Sequence, residues 1–210
     1  MKQAKRQRRS IRIKGYDYTQ PGAYFLTLCT HERSMLFGDL INDQLVANEY
    51  GRIVREEWLK SADIRDEIVL DEFVIMPNHL HGIVWIMGDT EGADGRPPLP
   101  FEPTPSAFPP STPADAEPTR LQRTPRSLGA FVAGFKSAVT TRINRLRDVI
   151  GMPVWQRNYY EHVIRSESAL FAIRRYIVEN PLRWTLDHYH LEPAGPDPRA
   201  VEIWRLLHSE

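Results

Sequence analysis

The residues of this chain best suited to chemistry are a histidine pair, His79-Leu80-His81, and a tyrosine four residues ahead of an asparagine, Tyr176 and Asn180. The histidines lie in Phe73-Val-Ile-Met-Pro-Asn-His79-Leu-His81-Gly-Ile-Val-Trp-Ile-Met87, an apolar, β-branched run that reads as strand. Side chains alternate along a strand, so both imidazoles project from one face, and in neutral form each offers a ring lone pair to a divalent metal. A structural reading also fits the pair: half-buried imidazoles bonded to backbone or water. Tyr176 and Asn180, spaced i, i+4 on a predicted helix, share a face and can converge on one point. A phenol there either packs at an amphipathic boundary or, helped by a metal or base, acts as a nucleophile.

The elements that must position these groups follow from local pattern. Ala23 to Thr30 reads as a central strand after a Gly/Pro turn, and His31 to Ile41 as a connector or short hairpin. Asn48 caps a predicted helix over 49–60, with Tyr50, Ile53, Val54 and Trp58 as its apolar face. Glu67 to Met76 and His79 to Met87 form an antiparallel hairpin through Pro77-Asn78, with the histidines opening its second strand. Ser127 caps a longer helix whose stripe is Leu128, Phe131, Val132, Phe135, Val139, Ile143 and Leu146, leaving Lys136, Arg145 and Arg147 off it. The end of Met152 to Arg165 supplies a fourth strand, and a last helix runs from near Ser166 to Asn180, stopped by Pro181. This order predicts an α+β fold: a ferredoxin-like (split βαβ) antiparallel sheet with helices on one face and an appended C-terminal helix carrying the tyrosine.

Formal net charge is zero, yet the charges are segregated. Residues 1–14 hold seven basic side chains and no acid, and 120–147 another seven with none, whereas 43–72 holds nine acids against four bases. Such blocks suit a polyanion on a basic face, or are simply solvated surface. The organisation expected is a basic flexible arm at 1–14 and a single domain at 15–210. That domain is interrupted at 89–125 by an insertion holding ten of the 17 prolines, too polar to build a core. One cysteine, Cys29, excludes an intrachain disulfide, and no 18-residue apolar run predicts a membrane span or signal peptide; a soluble, cytoplasmic chain is the expectation.

Met76-Pro-Asn-His79-Leu-His81 resembles the His-hydrophobic-His motif of the single-tyrosine HUH transposases, and Tyr176-Ile-Val-Glu-Asn180-Pro181 their tyrosine helix in its REP-associated form. Arg8-Arg-Ser-Ile-Arg-Ile-Lys-Gly-Tyr-Asp-Tyr, Ser127-Leu-Gly-Ala-Phe to Val139, and Val154-Trp-Gln-Arg-Asn-Tyr-Tyr-Glu-His162 are similar to stretches of the REP-associated tyrosine transposases. The likeness spans most of residues 8–185 outside the insertion. It implies an enzyme that cleaves and rejoins single-stranded DNA beside hairpins of repetitive palindromic sequence. Tyr176 would attack, leaving a 5′-phosphotyrosine link and a free 3′-hydroxyl, with Mg²⁺ or Mn²⁺ held by His79, His81 and the Asn180 amide oxygen. Arg6, Arg8, Arg9, Arg12, Lys14 and Lys136 are the implied DNA contacts. The protein would act as a monomer or homodimer in the cytoplasm, nucleoid-associated and away from membrane. Tyr159 and Tyr160 are rival nucleophiles, ranked lower because no polar partner sits at helical spacing from either. Two other readings stand beside this one: a metal hydrolase with His162 as third ligand, and a module that binds hairpin DNA without cutting it.

Overall fold

The computed structural model describes residues 16–88, 99 and 125–208. The basic arm, with Arg6, Arg8, Arg9, Arg12 and Lys14, and the insertion apart from Leu99 and Pro125 lie outside the described residues. In chain order the elements are β1 (Gly22–Cys29), β2 (Gly38–Ile41), β3 (Gln44–Ala47), α1 (Glu49–Asp63), β4 (Ile68–Met76), β5 (His79–Ile86), α2 (Leu128–Leu146), β6 (Tyr160–Ile164), α3 (Glu167–Glu179) and α4 (Pro198–His208). Two helices begin at the side-chain caps expected, Asn48 and Ser127, and a third is capped by Ser166, near which its start was placed. Asn48 Oδ1 accepts from Gly51 N at 3.0 Å, Ser127 Oγ from Ala130 N at 3.2 Å, and Ser166 Oγ from Ala169 N at 3.2 Å.

The protein is mixed α+β, built on a four-stranded antiparallel sheet of order β4-β5-β1-β6, with β2 and β3 as a separate hairpin. β1 and β4 therefore run parallel with β5 between them. Strand alternation sorts the side chains into two cores. Tyr24, Leu26, Leu28, Leu80 and Val84 face α1 and α2, meeting Ile53, Val54, Trp58, Phe131, Phe135 and Val139. Ala23, Phe25, Ile83, Trp85 and Ile164 face α3 and α4, meeting Leu170, Ile173, Ile177, Ile203 and Leu207.

Helices thus cover both faces of the sheet: the tyrosine helix α3 lies opposite α1 and α2, with α4 beside it. α4 was not anticipated from sequence, although Asp197-Pro198 opens it and Ile203 and Leu207 repeat at i, i+4. The connector after β1 closes into the β2–β3 hairpin, which runs beyond Ile41 to Ala47. Among the described residues no helix is long and apolar enough to cross a membrane.

Gly82 separates His81 from the rest of β5 for a steric reason. A Cβ built there would lie 2.5 Å from Trp58 Cζ2 and 3.0 Å from its Cη2. Trp58 is fully buried and packs tilted against Phe73 and edge-on against Phe131 and Phe135, so it cannot retreat cheaply. Gly82→Ala is expected to cost about 1–3 kcal/mol by overpacking, read as an earlier denaturant midpoint at unchanged slope. An unshifted midpoint would contradict this packing.

Candidate active site

His79 and His81 project from β5 toward α3 and are essentially inaccessible, at 0% and 1% exposure. Their cross-strand partners on β1 are Cys29 and Thr27. The Pro77-Asn78 turn that starts β5 is held from both sides: Leu36 N and Phe37 N donate to Pro77 O, and Thr30 N to Asn78 O. The Asn78 side chain then fixes a histidine tautomer. Its amide nitrogen donates to Tyr189 O at 2.7 Å and Arg33 O at 3.2 Å, which turns its oxygen toward His79 Nδ1 at 2.9 Å. That nitrogen must then carry the proton, and Nε2 keeps a free lone pair. His81 Nδ1 is likewise engaged, by Thr27 Oγ1 at 2.9 Å, leaving its Nε2 turned inward. Burial lowers the pKa of His79 to about 3, the smaller upward pull of neighbouring Asn180 notwithstanding, and burial drives His81 well below its ordinary value. Both rings are neutral at pH 7, the form that ligates metal.

The third group is Asp187. After α3 the chain continues through a 3₁₀ turn, Pro181–Leu186, that returns Asp187 to the histidines. Its Oδ2 lies 3.9 Å from His79 Nε2, and one ligand atom from each of His79, His81 and Asp187 falls within 4.8 Å of the others. Asp187 is 2% exposed; it accepts from Tyr189 N at 2.6 Å through Oδ1 and from Asn180 Nδ2 at 2.8 Å through Oδ2. Asn180 is fully buried in the same cluster. It keeps helical geometry, φ −57° and ψ −42°, despite the following proline, so α3 passes directly into the 3₁₀ turn.

A divalent ion suits this donor set. His79 Nε2 and Asn180 Oδ1 are buried acceptors with no hydrogen-bond partner, and each such vacancy costs about 1–3 kcal/mol unless a cation or proton donor fills it. Two imidazole nitrogens, a carboxylate and an amide oxygen are ligand types that Mg²⁺, Mn²⁺ and related ions accept. The structure brings together the two histidines and Asn180 singled out in the sequence and sets beside them Asp187, which was not singled out. Its signal was the dense Asp187-His188-Tyr189-His190 stretch just past the tyrosine helix.

Tyr176 meets this cluster. Its hydroxyl lies 3.5 Å from His81 Nε2, and its ring packs 5.2 Å from that of His81 and 6.3 Å, edge-on, from Phe25. Burial foremost, then the negative charge of Asp187, raises its pKa well above the ordinary tyrosine value, so the free site holds a protonated phenol. Tyr189 also contacts both imidazoles, at 4.9 and 5.8 Å between ring centres. Of the rivals, Tyr160 lies on the same face of the sheet, edge-on at 6.1 Å from Phe25 and packed against Trp204 of α4, while Tyr159 lies under the Lys136 ammonium on the other side of the sheet. His162 of β6 pairs with Phe25 of β1, and the metal-capable cluster forms with Asp187 in its stead. Lys136 is turned inward. It donates to the carbonyls of Gln156 and Asn158, and burial lowers its pKa to about 8.

Fold and site together define an α+β protein with a buried His, His, Asp cluster beside a tyrosine. The chain is 37% identical over 185 residues to a protein of Haemophilus influenzae described only as uncharacterized, a match covering 88% of this chain and 94% of that one, and it belongs to the same family. No family model matches it. Among solved structures it is similar to a REP-associated tyrosine transposase bound to a REP hairpin, with a TM-score of 0.48 and 16% identity over 86% of this chain and 74% of that one. A candidate transposase from Deinococcus radiodurans shows a TM-score of 0.36 and 18% identity over 81% of this chain and 98% of that one.

Proposed function

We propose that this chain is a metal-dependent, single-stranded DNA transesterase of the REP-associated tyrosine transposase kind, cutting and rejoining DNA beside hairpins in the bacterial cytoplasm. The observation that carries the reading is the Tyr176 hydroxyl standing 3.5 Å from His81 Nε2, at the edge of the buried His79, His81 and Asp187 cluster. The motifs around His79-Leu-His81 and Tyr176 resemble that family, and each falls on an element able to present it.

In the reaction the Tyr176 oxygen forms a bond to the scissile phosphorus and the bond to the 3′-oxygen breaks. The phenol loses its proton, the departing 3′-oxygen gains one, and a 5′-phosphotyrosine link remains. Attack by another 3′-hydroxyl reverses the step, so bond energy is conserved and no nucleotide is consumed. A bound Mg²⁺ or Mn²⁺ would supply positive charge for the phosphate oxygens and for the developing phenolate. His79, His81 and Asp187 would hold it, with Asn180 offering its amide oxygen. Asn78 and Thr27 would keep both Nε2 atoms directed at the ion. Arg6, Arg8, Arg9, Arg12 and Lys14 would add phosphate contacts that strengthen binding without choosing sequence. Lys136 would bear on DNA through the loop it pins at 156–158.

The test is covalent capture. End-labelled, hairpin-bearing single-stranded DNA is incubated with wild type and Tyr176→Phe, with Mn²⁺ or chelator, and resolved on a denaturing protein gel. A metal-dependent band absent from the mutant is the expected result. Cleavage without a band would replace the reading with a metal hydrolase, and hairpin binding without cleavage with a binding module.

A further inference from the structure

The tyrosine helix is held by a contact whose construction exceeds what packing requires. Along β4, Leu70 pairs with Val84 of β5 and Phe73 with Gly82, so three steps on one strand answer two on the other: Asp71-Glu72 forms a β-bulge. The extra residue lets Phe73 return to the α1 and α2 face, against Trp58, while Asp71 turns to the α3 face. There the Asp71 carboxylate is fully used. Its Oδ1 accepts from Arg174 Nε at 2.8 Å and from Glu72 N at 2.8 Å; its Oδ2 accepts from Arg174 Nη2 at 2.6 Å and Trp85 Nε1 at 2.8 Å. The side chain of Asp71 is 5% exposed, and Arg174 grips it as a two-pronged fork.

Arg174 belongs to α3, two residues before Tyr176. Two residues on a helix subtend about 200°, so these side chains leave α3 from opposite flanks of the stripe formed by Leu170, Ile173 and Ile177. Holding one flank sets the roll of the helix, and the roll sets the hydroxyl at the other. Apolar contacts alone tolerate small rotations. A 10° roll swings a hydroxyl roughly 8 Å from the helix axis by roughly 1.4 Å, enough to spoil attack geometry.

We infer that Asp71 and Arg174 are positioning residues: a clamp, founded on the β4 bulge, that fixes the roll of α3 and so places the Tyr176 hydroxyl against the His79 and His81 pair. This rests on the transesterase reading above. Burial works against ionisation of Asp71, but the hydrogen bonds from Arg174 and Trp85 overcome it and hold the carboxyl at about 2, so the clamp stays charged across the physiological range. It touches none of the metal-capable residues. Loss should therefore spare metal and DNA binding while slowing the chemical step.

The test follows single-turnover adduct formation at saturating hairpin DNA and Mn²⁺ for wild type, Asp71→Asn, Arg174→Ala and Arg174→Lys. The clamp predicts that Asp71→Asn and Arg174→Ala lower the rate constant about 10- to 100-fold. Mn²⁺ and DNA affinities should stay within about twofold of wild type, and Arg174→Lys should recover melting temperature more than rate because it keeps the charge and loses the fork. A purely structural contact would lower the melting temperature and the fraction of molecules that react while leaving the rate constant of the reacting fraction alone, and that outcome overturns the proposal. Should Asp71→Asn not fold, Arg174→Lys carries the comparison. If wild type forms no adduct, the transesterase reading fails and the clamp is judged separately, by the ¹⁹F signal of 3-fluorotyrosine at position 176. A shifted or broadened signal in Asp71→Asn supports it, and an unchanged one overturns it.

Discussion

Asp187→Asn is expected to weaken Mn²⁺ binding at least about 100-fold and to remove the covalent DNA adduct while leaving the apoprotein as stable as wild type or more so. A buried carboxylate without a cation costs free energy, and among the described residues no Lys or Arg forms an ion pair with Asp187. Its neighbours are His79, neutral because burial lowers its pKa to about 3, and two donors, Tyr189 N and Asn180 Nδ2. Asparagine keeps the shape and an oxygen for one of those donors while removing the charge. If Asp187 served the fold, its loss should destabilise; if it serves a cation, stability and metal affinity should move apart. Calorimetric Mn²⁺ titration and denaturant unfolding without metal, on the same two proteins, read both quantities. Unchanged Mn²⁺ affinity would remove Asp187 from the site.

How these residues came to be legible, or not, follows from the range of the interactions that place them. His79 and His81 share a face because strand period is local, and Tyr176 joins Leu170, Ile173 and Ile177 on the buried side of α3 because helix period is local. Ser127 and Asn48 announced their helices for the same reason, since a cap reaches only three residues. Asp187 depends on contacts between residues far apart in sequence. The 187–190 segment is drawn to the histidines by Asn78 donating to Tyr189 O and Arg33 donating to His188 O, pairs 111 and 155 residues apart. Lys136 shows the converse failure. Its place off the apolar stripe of α2 pointed to solvent, but the loop before β6 folds over it and takes its donors with backbone carbonyls. Covering the second face of the sheet was equally invisible to the succession of strands and helices, because nothing local says where a helix that follows the last strand will dock.

Acidification from neutral pH should begin to destabilise the metal-free protein below about pH 6.5, above the range in which its carboxylates titrate. His79 has a folded pKa of about 3 against about 6.5 when exposed, because burial penalises its charged form. Between those values the unfolded chain binds the extra proton and the folded chain does not. Stability is therefore full above about pH 6.5 and falls as pH drops below it, by about 1.4 kcal/mol per pH unit from His79 alone. His81, displaced in the same direction by burial and by its neighbour His79, adds to the loss. Asp71, held at about 2 against 3.8, contributes only below about pH 4, so the two effects separate on the pH axis. Folded domains hold about 5–15 kcal/mol in reserve, so the His79 contribution alone removes a sizeable part of a modest reserve by pH 4 to 5. Chelator-treated protein unfolded in denaturant at pH 7, 6, 5 and 4.5 gives the slope, and His79→Gln should flatten it by about its own share. Saturating Mn²⁺ should raise stability at pH 7 and lose effect as pH falls, since protons and metal compete for the same lone pairs. A stability curve level from pH 7 to pH 5 would mean that the imidazoles accept protons in the folded state, and such a pair could not be the neutral, inward-facing ligand set described by Asn78, Thr27 and the burial of β5.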